Sequence, residues 1–146
     1  VDWPIIILLG AMIPLGAALE STGGAELIAN SILQISSQFP PVFALTVLLL
    51  ASMLLTGLVN NAAAVVLMAP IAIKIAHGMS ASIDPFLMAI TIGASCDFLT
   101  PIGHQSNTLV MGPGGYKFSD YWRMGLGLEI IVFAVSIPLL LIFWPL

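Results

Sequence analysis

The run Ser95-Cys96-Asp97-Phe98-Leu99-Thr100-Pro101-Ile102-Gly103-His104-Gln105-Ser106-Asn107-Thr108 sets polar side chains, a proline and a glycine inside an otherwise apolar chain. Of the 146 residues, 60% are hydrophobic and 7% charged, whereas a soluble domain carries about 25% charged residues. The chain is therefore expected to be an all-α integral membrane protein. Hydrocarbon offers a broken backbone no hydrogen bonds. Such a run is tolerated only where it faces protein or lines a water-filled cavity. A helix interrupted by hydroxyls, amides and free helix ends at mid-membrane is a device for holding a polar solute.

Composition excludes several classes. The net charge of −4 comes from ten charged residues and argues nothing about nucleic acid. Cys96 is the one cysteine, so an internal disulfide and a multi-cysteine metal site are excluded. His77 and His104 fall in different segments. No serine–histidine or metal arrangement stands out, so enzymatic activity is not expected. The first apolar segment carries Asp2 where a signal peptide has basic residues. The chain starts at Val1 and enters the bilayer almost at once, which suggests the C-terminal half of a larger protein.

Spanning hydrocarbon takes about 20 helical residues. Pro4 to Leu19 reads as a short first helix anchored by Trp3. From Glu20 to Gln38, polar and apolar residues alternate with amphipathic spacing, which suits a helix on the membrane surface. The stretch 41–77 is apolar except for Thr56, Gly57, Asn60 and Asn61. One helix of that length would reach about 50 Å, too long for one bilayer. The chain must break at the polar cluster, leaving arms that are marginal for a full crossing. A re-entrant hairpin with Asn60 and Asn61 at its buried tip fits best; two complete spans joined by a tight turn are the alternative.

A broken helix is expected over 86–111, helical from Phe86 to Leu99 and interrupted from Thr100 to Asn107. Gly112-Pro113-Gly114-Gly115 reads as a turn, without the lysine of a P-loop. The last span covers 124–144, with a kink expected at Pro138. Lys117 and Arg123 flank one interface, which puts that side in the cytoplasm and the C-terminus outside. Lys74 then falls on the outer side.

The candidate site follows from these breaks. An asparagine at 60 or 61 can cap the second arm, whose N-terminus attracts an anion. Pro101 removes a donor and restricts Thr100, and Gly103 lets backbone approach a ligand. The expected substrate-binding residues are Asn60, Asn61, Thr100, Pro101, Gly103, His104, Gln105 and Asn107. Thr56, Asn60, Ser95 and Asp97, with nearby carbonyls, are expected to hold a cation. Asp97 is the sharpest of these, because an intramembrane carboxyl binds a cation, takes a proton or is hydrogen-bonded structurally.

The segment from Ser95 to Asn107, followed by Gly112-Pro113-Gly114-Gly115-Tyr116, resembles the C-terminal repeat of divalent-anion/sodium symporters, and bacterial sulfate or anion permeases in particular. The resemblance runs over nearly the whole chain. It implies the second of two inverted repeats, each with a re-entrant hairpin and a broken helix. It also implies a homodimer, a missing N-terminal repeat and a site at mid-membrane. The family's hairpin tip usually reads Ser-Asn-Thr; here Val59, Asn60 and Asn61 stand there. The Asn-Asn pair resembles arsenite and citrate–metal permeases of the same superfamily. Where the family's broken helix reads Thr-Pro-Pro-Asn, this chain has His104, Gln105, Ser106 and Asn107.

The expectation is thus half of a cation-coupled carrier of a small anion, such as sulfate or a dicarboxylate, in a bacterial inner membrane. It would have no cofactor beyond a coupling sodium ion or proton, no structural metal and no nucleic-acid partner. A permease without obligatory sodium and a non-transporting membrane scaffold are the alternatives.

Overall fold

Pro40-Pro41 starts the first bounded helix, because the ring fixes φ near helical values and the missing N–H is not needed there. The computed structural model describes residues 39–59 and 61–146, together with positions 14, 18, 21–24, 27, 28, 30, 31 and 34. The expected first span, much of the amphipathic segment and Asn60 lie outside the described residues. Five helices are bounded within those described: α1 (Pro41–Thr56), α2 (Asn61–Gly78), α3 (Ile83–Ala94), α4 (Gln105–Met111) and α5 (Phe118–Phe143). Among the described residues there is no strand.

α1 and α2 are 16 and 18 residues long, about 24 and 27 Å at 1.5 Å per residue. A short connection makes them antiparallel neighbours. α3 packs against both, more extensively than they pack against each other. The buried stripes are Leu45, Leu48, Leu49 and Met53 of α1, Met68, Ile71, Ala72 and Ile75 of α2, and Phe86, Ala89 and Ile90 of α3. Each repeats every three or four residues, one face of a helix.

Lipid is as apolar as leucine, so close approach rather than the hydrophobic effect holds such helices together. Gly93 makes that approach possible. A Cβ there would lie 2.7 Å from the Ser52 Cβ and 2.8 Å from the Leu49 carbonyl oxygen.

α5 is built the other way round. Its buried residues are Gly125, Glu129, Ser136 and Leu140, whereas Leu126, Leu128, Ile130, Ile131, Val135 and Leu139 are exposed. Leu140 apart, small and polar groups face the protein and large apolar ones face outward, as suits a bilayer. α2 and α5 are long and apolar enough to cross a membrane. Pro70 and Pro138 lie inside these two helices.

Two boundaries differ from the sequence reading. The break begins at Ser95, not Thr100, and Gln105 to Asn107 are already helical. The last turn of α3 is drawn off locally. The Ser95 hydroxyl donates to the Thr91 carbonyl, and the Cys96 amide turns back to the Gly93 carbonyl. α5 begins at Phe118, where the interfacial segment was expected, because Asp120 caps it: its carboxylate accepts from the Lys117 amide at 2.8 Å.

Candidate functional site

Residues 95–104 carry no helix, so their backbone groups need other partners. Side chains from both ends of the break supply them. Asn107, in α4, donates through Nδ2 to the Asp97 carbonyl at 2.7 Å and the Thr100 carbonyl at 3.3 Å. The Thr108 hydroxyl donates to the Pro101 carbonyl. Thr100 Oγ1 accepts from the Ile102 and Gly103 amides at 3.3 and 3.2 Å and donates to the Gly57 carbonyl at 2.7 Å. That last bond ties the break to the end of α1.

A second tie lies deeper. Buried Thr56, the last residue of α1, has Oγ1 2.8 Å from the Ala94 carbonyl and 3.0 Å from Asn61 Oδ1. One hydroxyl hydrogen cannot serve two acceptors. With Ala94 taking it, the Asn61 amide turns its NH2 toward Thr56. Gly103 completes the junction: a Cβ there would lie 2.9 Å from both the Asp97 Cβ and the Thr56 carbonyl oxygen.

The structure therefore brings Thr56, Asn61, Asp97, Thr100, Gly103 and Asn107 to one place, where the end of α1 meets the break. Pro101 is buried beside them. Ser95 is exposed on the last turn of α3, with its hydroxyl spent on Thr91. His104 is exposed and caps α4, its Nδ1 accepting from the Ser106 amide at 3.2 Å. That bond leaves the proton of a neutral ring on Nε2. Gln105 opens α4, and its side chain lies outside what is described. Asn60, expected on both the anion and the cation side, lies outside the described residues.

Asp97 is 8% exposed, and its Oδ2 has no hydrogen-bond partner. The carbonyls of Gly57, Ala94, Asp97 and Thr100 each accept at least one bond. A carbonyl has two lone pairs, so a bound cation could still use them. Among the described residues, no group of three His, Cys, Asp or Glu could cage a metal.

α5 closes one side of the site. At Gly125 a Cβ would lie 2.6 Å from the Phe98 carbonyl carbon and 3.1 Å from the Leu99 amide nitrogen, so helix and broken backbone touch directly. The Tyr121 hydroxyl donates to the Asn107 carbonyl at 2.6 Å. Between these contacts lies a cleft of about 470 Å³, lined by Phe98, Asn107, Asp120, Tyr121, Gly125 and Leu128 among others.

Sequence reasoning missed Glu129. It is 7% exposed, with Oε1 unpartnered. The signal was present: Glu129 is the one charged residue in the apolar stretch from Met124 to Phe143.

A family model described as citrate transporter matches residues 1–146. An uncharacterized transporter of Escherichia coli is 39% identical over 99% of this chain and 24% of its own length. An uncharacterized transporter of Synechocystis is 39% identical over 96% of the chain and 23% of its length. Sodium/sulfate cotransporter 2 of Chlamydomonas reinhardtii is 30% identical over 92% of the chain and 15% of its length. The chain thus spans about a quarter or less of these relatives.

Proposed function

The chain belongs to the citrate transporter family, and from that premise we propose that it supplies part of the solute site of a membrane carrier that moves a small anion together with a cation. The family is one of transporters rather than enzymes. One observation carries the reading: the end of α1 is tied to the last residue of α3 by the Thr56–Ala94 hydrogen bond and to the broken segment 95–104 by the Thr100–Gly57 bond. A polar junction of two interrupted elements is what an alternating-access carrier needs at the membrane's middle.

In this reading α1 and α2 form a re-entrant hairpin. The α2 N-terminus and the asparagines at its start face the anion. Thr100, Pro101, Gly103, His104, Gln105 and Asn107 form the opposite wall. A cation held by Thr56, Asn60, Ser95, Asp97 and neighbouring carbonyls offsets the cost of an anion in low dielectric. A second repeat would complete the site, the carrier would be a homodimer, and the C-terminus would lie outside. Sulfate is favoured as the anion, because relatives named sodium/sulfate cotransporters align along most of the chain.

A second reading is a citrate- or arsenite-type permease without obligatory sodium. The family description and the Asn60-Asn61 pair favour it. Uptake of radiolabelled sulfate and citrate by the full-length carrier in proteoliposomes, with and without a sodium gradient, separates the two. Sodium-driven sulfate uptake supports the first reading. Sodium-independent citrate uptake supports the second, and uptake of neither removes sulfate and citrate as the solutes.

A further inference from the structure

Glu129 sits within α5 with its carboxyl turned to the protein and one oxygen without a partner. Gly125, one turn earlier on the same face, lies against the backbone of Phe98 and Leu99, which sets Glu129 beside the break. Cys96 lies within electrostatic reach of both Glu129 and Asp97. Both carboxyls are more than nine-tenths buried, and each has an unpartnered oxygen.

Among the described residues of the elements packed on α5 no basic group faces Glu129, and Arg123, six residues earlier on α5 itself, is exposed. α1, which packs on α5, has no ionisable residue. α3, which also packs on it, has only Asp84, in its first turn and at the far end from the break. The broken segment adds Cys96, Asp97 and, at its other end, His104. Lys74 and His77 belong to α2, which does not pack on α5. An unpaired carboxylate in that setting is costly, which favours uptake of positive charge. The cleft beside Asp120 and Tyr121 is lined by Gly125 and Leu128, the latter next to Glu129 in sequence.

We propose that Glu129 is a cation-binding residue, and that a small monovalent cation, sodium or a proton, is held at its carboxyl. A role for that cation in coupling rests on the transport reading above; the binding site itself does not. The test is thermal unfolding of the purified full-length carrier in nanodiscs. One series varies sodium at constant pH and ionic strength, with choline as replacement. The other varies pH without sodium.

Wild type should be stabilised by sodium in the first series, or by acid in the second if the cation is a proton. Glu129→Gln should lose that response. Glu129→Asp, which keeps the charge but shortens its reach, should shift the midpoint by about tenfold or more, and it serves if the glutamine variant does not fold. A wild type that responds to neither cation overturns the proposal. So does a Glu129→Gln or Glu129→Asp protein that responds as wild type does. Cation stabilisation without uptake of sulfate or citrate would count against those solutes and leave the site standing.

Discussion

The broken segment 95–104 and helix α5 touch at Gly125, yet they solve the same problem in opposite ways. α5 satisfies nearly all of its backbone by itself over 26 residues, Pro138 withholding one donor, and can present Leu126, Ile130 and Ile131 outward. The broken segment cannot: Thr100 serves it from within and ties it to Gly57, and Asn107 and Thr108 of α4 reach back to its carbonyls. The contrast teaches where a membrane chain can hold function. A continuous helix is stable anywhere in lipid, whereas a broken one is stable only against protein that completes its hydrogen bonds. Polar side chains at the break thus have two duties, holding backbone and facing solute.

The largest effect should come from the contact between the two regions. Gly125→Leu drives a side chain into the Phe98 carbonyl, and both sides of the clash are backbone. A loss of about 3 kcal/mol or more is expected, seen as loss of folded protein in detergent. Gly127→Leu, two residues on, meets nothing within 4 Å and should stay within about 0.5 kcal/mol of wild type. Equal effects at the two positions would break the comparison.

Next comes the amide that serves the break. Asn107→Ala strands two carbonyls, at an expected cost of about 1–3 kcal/mol. Asn107→Asp should be worse, because an acceptor replaces the donor facing Asp97 and Thr100. Thermal unfolding of both variants checks the order. An aspartate variant as stable as wild type would mean that the amide does not donate there.

Smaller still is the contrast between two threonines of α1. Thr56→Val removes the buried link to Ala94 and should cost about 1–2 kcal/mol. The Thr46 hydroxyl only returns to the Val42 carbonyl of its own helix, so Thr46→Val should be near neutral. The ratio of the two unfolding shifts sharpens how much of the junction's strength lies in side-chain-to-backbone bonds.

Much of this was legible in the sequence. The polar cluster at Thr56–Asn61 marks where α1 gives way to α2, because no long apolar run can continue through it in one bilayer. The break near Pro101 was legible too, but its start was not. Ser95 and Cys96 bond back to α3 by local choices that hydropathy does not encode. The partners of Asn107 were equally hidden. From sequence its amide reads as a ligand group, and only the fold shows it holding the Asp97 carbonyl. Glu129 was overlooked because a single charge barely lowers the hydropathy of a long span, yet its burial makes it the most costly side chain in α5.

The central claim is that the break is a hydrated site while α5 faces lipid. It is tested most directly by thiol accessibility in the full-length carrier, in a background without other reactive cysteines and with Cys96 replaced. His104→Cys lies on the exposed cap of α4, and Ile131→Cys lies on the exposed face of α5. A membrane-impermeant maleimide should label position 104 from one side of the membrane and leave position 131 unlabelled. Labelling of 131 at the rate of 104, or a position 104 inert from both sides, would contradict the account.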